Sequence, residues 1–172
     1  MTLSPRLCRR AGVLAATATA LAAAVLPASS GAARRHAAAA CPTSSLVAWL
    51  DTAGNGAAGT IHYPLHFTNL SGRACTVRGY PGVSPADPAG RSIGPGATRS
   101  GMPVRTVTLR NHATATADLG IVEAGNFPPS ACRSTTAAGL KVYGPGATAA
   151  RFVPFPFLAC THEASLRIGP VR

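Results

Sequence analysis

A run of alternating side chains constrains the fold of this chain more than any other feature. Between residues 61 and 68, apolar side chains alternate with polar side chains or proline: Ile61, His62, Tyr63, Pro64, Leu65, His66, Phe67 and Thr68. This period of two is typical of a strand with one buried face. Residues 69–72, Asn-Leu-Ser-Gly, favour a turn, and Cys75 and Val77 share one face of a second strand. The sequence therefore predicts an antiparallel hairpin at the centre of the fold.

Further strand signals recur along the chain and are separated by glycine and proline. They lie at residues 46–50, 91–93, 104–110, 113–121, 140–143, 152–157 and 166–168. No helical periodicity follows the N-terminal segment. Many short strands between Gly/Pro turns predict an all-β fold, and specifically an antiparallel β-sandwich.

The pentapeptide Gly-Pro-Gly-Ala-Thr occurs twice, at residues 94–98 and 144–148. Proline followed by glycine suits a type II turn, because proline presets the negative φ of the second turn position and glycine accepts the positive φ of the third. We interpret the two copies as similar tight turns rather than as a duplicated binding loop.

The N-terminus has the pattern of an export signal. Three arginines at positions 6, 9 and 10 precede an apolar run at residues 11–26, and proline and small residues follow. We predict a secretory signal peptide at residues 1–32, a flexible leader at 33–40 and a β-sandwich domain at 41–172. The run is shorter than the roughly 20 residues that a membrane-spanning helix needs, so no membrane anchor is expected after cleavage. An uncleaved anchor and a lipid-attached Cys41 are the alternatives.

The cysteines agree with secretion to the extracellular space or the cell wall. Of the five cysteines, Cys8 lies in the predicted signal peptide, which leaves Cys41, Cys75, Cys132 and Cys160. An even number in an exported domain predicts two disulfides. Three pairings are open, and we favour Cys41 with Cys75 and Cys132 with Cys160 because each closes within its own half of the chain. No C-x-x-C pair supports zinc, so no metal is predicted.

Three motifs carry a resemblance to a known family. They are Gly-Ala-Ala-Gly-Thr at residues 56–60, L-x-F-T-N-x-S-G-x-x-C-T at 65–76 and Gly-Tyr-Pro-Gly-Val-Ser at 79–84. With them the chain resembles the domain of unknown function family 4232, a family of secreted and lipid-anchored actinobacterial proteins, from about Cys41 to the C-terminus. The resemblance implies an immunoglobulin-like β-sandwich stapled by two disulfides. The family has no assigned activity, so no catalytic residue is carried over.

Residue patterns typical of enzymes are absent from the sequence. His162 and Glu163 begin like H-E-x-x-H, but Leu166 stands where the second histidine is needed. His62 and His66 would lie about 13 Å apart on a strand, too far to share one ion, and are expected on a solvated face. We therefore predict no catalytic residue, no cofactor and no enzymatic activity. A hydrolase would require histidine and acid side chains that converge in a pocket.

The charge of the predicted domain is the main functional indication. From residue 41 onward, ten arginines and one lysine stand against five acidic residues, a net charge of +6. A basic exported protein is suited to anionic wall polymers or lipid headgroups. The predicted binding patch consists of Arg73, Arg78, Arg105 and Arg110. The alternative is that these arginines only keep the surface soluble, and nucleic acid is not expected because aromatic residues are not interleaved with them.

A second candidate surface lies at residues 151–158. Its two prolines predict a strand at the edge of a sheet, because proline cannot donate to a β-ladder. There Phe155 and Phe157 would contact a protein partner or would close one end of the core.

These observations predict a secreted, monomeric, non-catalytic binding module of the cell envelope or extracellular space. The expected partner is an anionic cell-wall polymer or an extracellular protein. The alternative is a secreted inhibitor of an extracellular enzyme, with residues 82–90 as its exposed, proline-stiffened loop.

Overall fold

The computed structural model describes residues 38–172. The predicted signal peptide and residues 33–37 of the predicted leader lie outside this range. Within it are eleven strands: β1 (Leu46–Leu50), β2 (Asn55–Ala57), β3 (Thr60–Asn69), β4 (Cys75–Arg78), β5 (Gly82–Ala86), β6 (Thr98–Arg99), β7 (Thr106–Leu109), β8 (Thr114–Val122), β9 (Ser134–Tyr143), β10 (Ala150–Cys160) and β11 (Leu166–Ile168). The helical elements are two 3₁₀ turns, Thr43–Ser45 and Ala124–Asn126, and the one-turn α1, Pro129–Cys132.

None of the helices in the described part of the chain has the length and apolar character needed to cross a membrane.

The strands form three sheets that enclose one main core. A six-stranded sheet has the order β1-β3-β8-β11-β6, with β2 beside β3, and only its β11–β6 pair is parallel. A three-stranded sheet has the order β10-β9-β5, and a ribbon consists of β4 and β7. Leu65, Phe67 and Leu119 of the large sheet join Leu140 and Val142 of β9 in the main core. The predicted all-β sandwich is confirmed.

The predicted central hairpin is wrong. β3 pairs with β1 and β8 in the large sheet, whereas β4 pairs with β7 in the ribbon. The chain crosses between sheets at Asn69, whose side chain is buried and whose Nδ2 donates to the carbonyl oxygens of Arg73, Leu109 and Arg110 at 2.8, 3.1 and 3.1 Å. These bonds hold the loop after β3 against the end of β7, so β4 cannot fold back along β3.

The two disulfides are those that the sequence favoured. Cys41 is bonded to Cys75, and Cys132 is bonded to Cys160. Next to the first of them, residues 38–40 run beside β4, where the backbone N–H of Thr76 donates to the carbonyl oxygen of Ala39. This end of the predicted leader is therefore hydrogen-bonded to the domain.

Two loop predictions are corrected by the three-stranded sheet. The expected exposed loop at residues 82–90 is wrong in its first half, because β5 pairs with β9 and four of its five residues are buried. Only the turn from Asp87 to Gly90 lies outside β5 and projects from the sheet. The strand expected at 91–93 is reduced to a single bridge between Ser92 and Ala86.

The edge position of β10 is confirmed, since it pairs with β9 alone in the three-stranded sheet. Its pairing register shifts between Pro154 and Phe157. Pro156 lies in this bulge and Pro154, paired with Gly139, is the last residue before it. The donor that Pro156 lacks therefore interrupts no regular ladder.

Candidate functional site

The side of the large sheet that faces away from the core carries an ordered set of polar and aromatic side chains. Cross-strand partners in antiparallel strands point to the same side of a sheet. The register therefore places Trp49, His66 and Thr116 in one row, and Thr68 beside Thr114 in the next. We call this surface the outer face and define it by seven side chains: Trp49, His62, His66, Thr68, Thr114, Thr116 and Asp118.

Trp49 lies flat at one end of the outer face. Its ring stacks on that of His66, with centroids 4.1 Å apart and an interplanar angle of 27°. Its Nε1–H donates to Oγ1 of Thr68 at 3.0 Å. One surface of the indole is thus covered by the imidazole, and the residue is still 43% exposed. The opposite ring surface therefore faces solvent in a fixed orientation.

Hydrogen bonds between side chains continue across β3 and β8. Nδ1 of His66 is bonded to Oγ1 of Thr116, and the hydroxyls of Thr68 and Thr114 are bonded to each other, all at 2.9 Å. Because these groups hold one another in place, little side-chain entropy is left to lose when a ligand binds.

His62 and Asp118 form the second half of the outer face. Nδ1 of His62 lies 2.9 Å from Oδ2 of Asp118, and the two side chains are 42% and 46% exposed. Among the described residues, Oδ1 of Asp118 has no hydrogen-bond donor. The pair thus presents a carboxylate oxygen and a second imidazole nitrogen, Nε2, to solvent.

A groove of about 260 Å³ adjoins the outer face at Asp118. Met102, Pro103, Pro170 and Val171 supply apolar lining, and Arg105 and Arg172 add positive charge. The backbone of Arg172 pairs with that of Thr116 through two hydrogen bonds, of 2.9 and 3.0 Å. The groove is therefore continuous with the row that begins at Trp49.

The four predicted patch arginines are exposed and lie at the two ends of the β4–β7 ribbon. Arg78 pairs with Thr106, so it lies near Arg105. Arg73 lies near Arg110, because Nδ2 of Asn69 contacts both of their carbonyl oxygens. The two pairs are separated by the length of the ribbon, about 10 to 13 Å.

Most of the positive charge is uncompensated. All ten arginines of residues 41–172 are exposed, and within the described part of the chain only Arg91 forms an ion pair with a carboxylate, that of Asp87. The backbone N–H of Arg91, which donates to Oδ1 of Asp87 at 2.9 Å, holds the pKa of Asp87 below its ordinary value, and the guanidinium adds to this.

Phe155 and Phe157 are half-buried and pack against the core. The Phe155 ring meets that of Tyr63 edge-on at 4.9 Å, and the ring of Phe157 is 6.1 Å from that of Phe155. With Ile61, Ile121 and Leu158 they line a cavity of about 410 Å³. This placement at the edge of the sandwich favours the core-closing alternative for both phenylalanines.

The other two histidines of residues 38–172 are not among the seven side chains of the outer face. His112 follows β7 in a loop, and the His162 ring is within hydrogen-bonding distance of Thr161 and Arg133. In the region 38–172, no three His, Cys, Asp or Glu side chains are grouped closely enough to hold a metal ion.

The outer face was only partly anticipated from sequence. Alternation in the sequence places His62 and His66 on a solvated side of β3, but it does not mark Trp49, Asp118 or Arg172 as site residues. The available signal was alternation in β3 and β8, which places Thr114, Thr116 and Asp118 on the polar side of β8. All five residues of β1 are apolar, so its sequence gives no such signal for Trp49. Which of these positions are neighbours depends on the β1-β3-β8 order, and local patterns do not encode that order.

Comparison with known proteins gives one match, and it concerns the family. The family described as Domain of unknown function (DUF4232) matches residues 41–172. No curated protein and no solved structure matches the chain. The matched region is the whole segment that carries the sandwich and both disulfides, and well over half of the sequence. The chain therefore belongs to the DUF4232 family of domains of unknown function.

Proposed function

We propose that this protein is a secreted, non-catalytic binding module that holds an anionic polymer of the cell envelope. The observation that carries the proposal is the exposed and largely unpaired arginine set, of which only Arg91 has a carboxylate partner among the described residues. Positive charges that are not neutralised within the protein create an attractive potential for polyanions. The net charge of +6 over residues 41–172 has the sign that such a partner requires.

The form of the outer face supports binding rather than catalysis. The His62–Asp118 pair resembles an acid–base pair in composition, but both side chains are almost half exposed. Catalytic acid–base pairs are normally tuned by burial in a cleft, where desolvation and neighbouring charges shift their pKa values. An open face with fixed side chains suits a ligand that lies across it.

Retention on isolated cell walls tests the proposal. The purified protein should bind walls at about 0.01 M salt and elute at about 1 M salt, because the Debye length falls from about 30 Å to about 3 Å between them. Binding is measured as the fraction of protein that sediments with the walls. Absence of retention at low salt, or retention that salt leaves unchanged, would contradict an electrostatic wall binder.

Two charge-matched variants identify which end of the ribbon contributes. Arg78→Ala/Arg105→Ala and Arg73→Ala/Arg110→Ala each remove two positive charges from exposed positions. We expect the first variant to elute at lower salt than the second, because Arg105 also lines the groove beside Asp118. Equal elution of both would indicate that only the net charge matters.

A further inference from the structure

We propose that the outer face and its groove form a binding site for an acidic polysaccharide strand. In this site a sugar ring stacks on the exposed surface of Trp49, sugar hydroxyls bond to the His62–Asp118 pair, and an acidic substituent reaches Arg105. The inference rests on the proposed function and deepens it, since it names the chemical class of the polymer and the surface that holds it.

The surroundings of Trp49 favour a sugar over a protein as the occupant. An exposed aromatic ring with its N–H already bonded offers a flat apolar surface and needs no further polar partner. The register places His66 and Thr116 in the row of this ring, Val47 with Thr68 and Thr114 in one flanking row, and Pro64 with Asp118 in the other. The apolar neighbours of the ring are therefore limited to Val47, which is 43% exposed, and the partly buried Pro64. A protein interface has a broad apolar core, whereas a sugar ring has one small apolar face edged by hydroxyls.

The polar part of the outer face matches the chemistry of sugar hydroxyls. A hydroxyl both donates and accepts, so its site requires acceptors and donors side by side. Oδ1 of Asp118 is an acceptor without a protein donor in the described region. Nδ1–H of His62 donates to the Asp118 carboxylate, so Nε2 of the neutral His62 ring accepts. Nε2 of His66 donates or accepts according to the tautomer of that ring. These groups lie on adjacent strands and are held by their own hydrogen bonds.

The positions of the charges require an elongated ligand with an anionic group. Trp49 is on β1, and β3 and β8 separate β1 from the segment that contains Arg172. At the normal spacing between strands, these three steps amount to about 14 Å. Arg105 and Arg172 both line the groove there, and neither has a carboxylate ion-pair partner among the described residues. One sugar ring cannot span this distance, so the occupant is a chain of rings.

Fluorescence of the protein tests this directly, because Trp49 is its single tryptophan. Polygalacturonate, an acidic polysaccharide, serves as the probe, and inorganic polyphosphate serves as a polyanion without sugar rings. We expect polygalacturonate to shift the tryptophan emission to shorter wavelength at saturation, since the ring loses water. Polyphosphate should bind without this shift. An unchanged emission spectrum at saturating polygalacturonate would overturn the stacking role.

Substitutions separate the roles of ring and charge. Trp49→Ala should weaken polygalacturonate binding about tenfold, or about 1.4 kcal/mol, and should leave polyphosphate binding unchanged. Leu158→Ala, at an exposed apolar position of β10, is the matched control and should change neither. Carboxyl-reduced polygalacturonate should bind about tenfold more weakly than the acidic form. Equal affinity of Trp49→Ala and wild type, or of the two polymer forms, would overturn the site.

The same experiment distinguishes the two proposals. The glycan site is wrong and the electrostatic module stands if two results occur together. The protein binds polyphosphate and cell walls in a salt-dependent manner, and Trp49→Ala binds polygalacturonate like the wild type. If the protein binds neither polyphosphate nor cell walls, both proposals are wrong.

Discussion

Replacement of Asn69 by alanine should lower the free energy of unfolding by about 3 kcal/mol, because buried acceptors that lose their donor keep their desolvation cost. The Asn69 side chain is 1% exposed, and its amide is shared among three carbonyl oxygens of two separate segments. Its Oδ1 also accepts from the N–H of Ser71. Alanine removes all of these contacts at once and leaves a void at the crossing between sheets.

Two variants provide the controls, and all are compared by denaturant unfolding. Ser71→Ala removes one exposed hydrogen bond in the same loop, from Oγ to the Arg73 carbonyl, and should cost under about 0.5 kcal/mol. Asn69→Asp keeps the size and the acceptor but turns a carboxylate oxygen toward the three carbonyls, so it should cost at least as much as alanine. An unfolding midpoint of Asn69→Ala equal to that of the wild type would contradict this role.

Asn69 also explains why the sequence predicted the strands well and their partners badly. The alternation at residues 61–68 indicates which side chains of β3 face the core, and Leu65 and Phe67 are indeed buried. The Asn-Leu-Ser-Gly segment has turn chemistry, and Gly72 does adopt a positive φ of 77°. Whether that segment closes a hairpin or crosses to another sheet depends on the carbonyls of Leu109 and Arg110, about 40 residues away, which local patterns do not contain.

The two copies of Gly-Pro-Gly-Ala-Thr have identical residues but different hydrogen-bond partners. In the copy at 144–148, the N–H of Ala147 donates to the carbonyl of Gly144 and Gly146 has φ of 74°, as a type II turn requires. In the copy at 94–98, the N–H of Ala97 donates instead to Val83 on β5. The prediction of two similar turns therefore holds for the second copy and is wrong for the first, because a neighbouring strand competes for the turn's own donor.

For the candidate site, the sequence identified residue types but not their arrangement. The arginine excess and the polar side of β3 follow from composition and alternation. The stacking of Trp49 on His66 and the pairing of His62 with Asp118 require the β1-β3-β8 order and its register. The predicted patch of Arg73, Arg78, Arg105 and Arg110 lies on or beside β4 and β7, so it includes no residue of the outer face, and its role in binding stays a prediction.

Removal of the second disulfide should have an effect at least as large as that of Asn69→Ala. Cys132 and Cys160 close a loop with a sequence separation of 28 around the β9–β10 hairpin. Loss of this cross-link frees the unfolded chain and should cost about 3 to 4 kcal/mol in Cys132→Ala/Cys160→Ala. For a domain of this size, the thermal midpoint should fall by about 10 to 15 °C. Calorimetry of the oxidised wild type and the double variant measures both quantities.

The first disulfide is a matched control that separates chain entropy from packing. Cys41 and Cys75 close a loop of similar separation, 34 residues, so the chain-entropy cost of removing them is nearly the same. Cys132 and Cys160 are 1% and 0% exposed and lie in a small core with Ala124, whereas Cys41 is only half-buried. Cys132→Ala/Cys160→Ala should therefore lose more stability than Cys41→Ala/Cys75→Ala, because it forfeits buried sulfur contacts as well. Equal losses of stability in the two double variants would mean that the whole effect arises in the unfolded chain. An unchanged thermal midpoint in either variant would contradict a stabilising role for that disulfide.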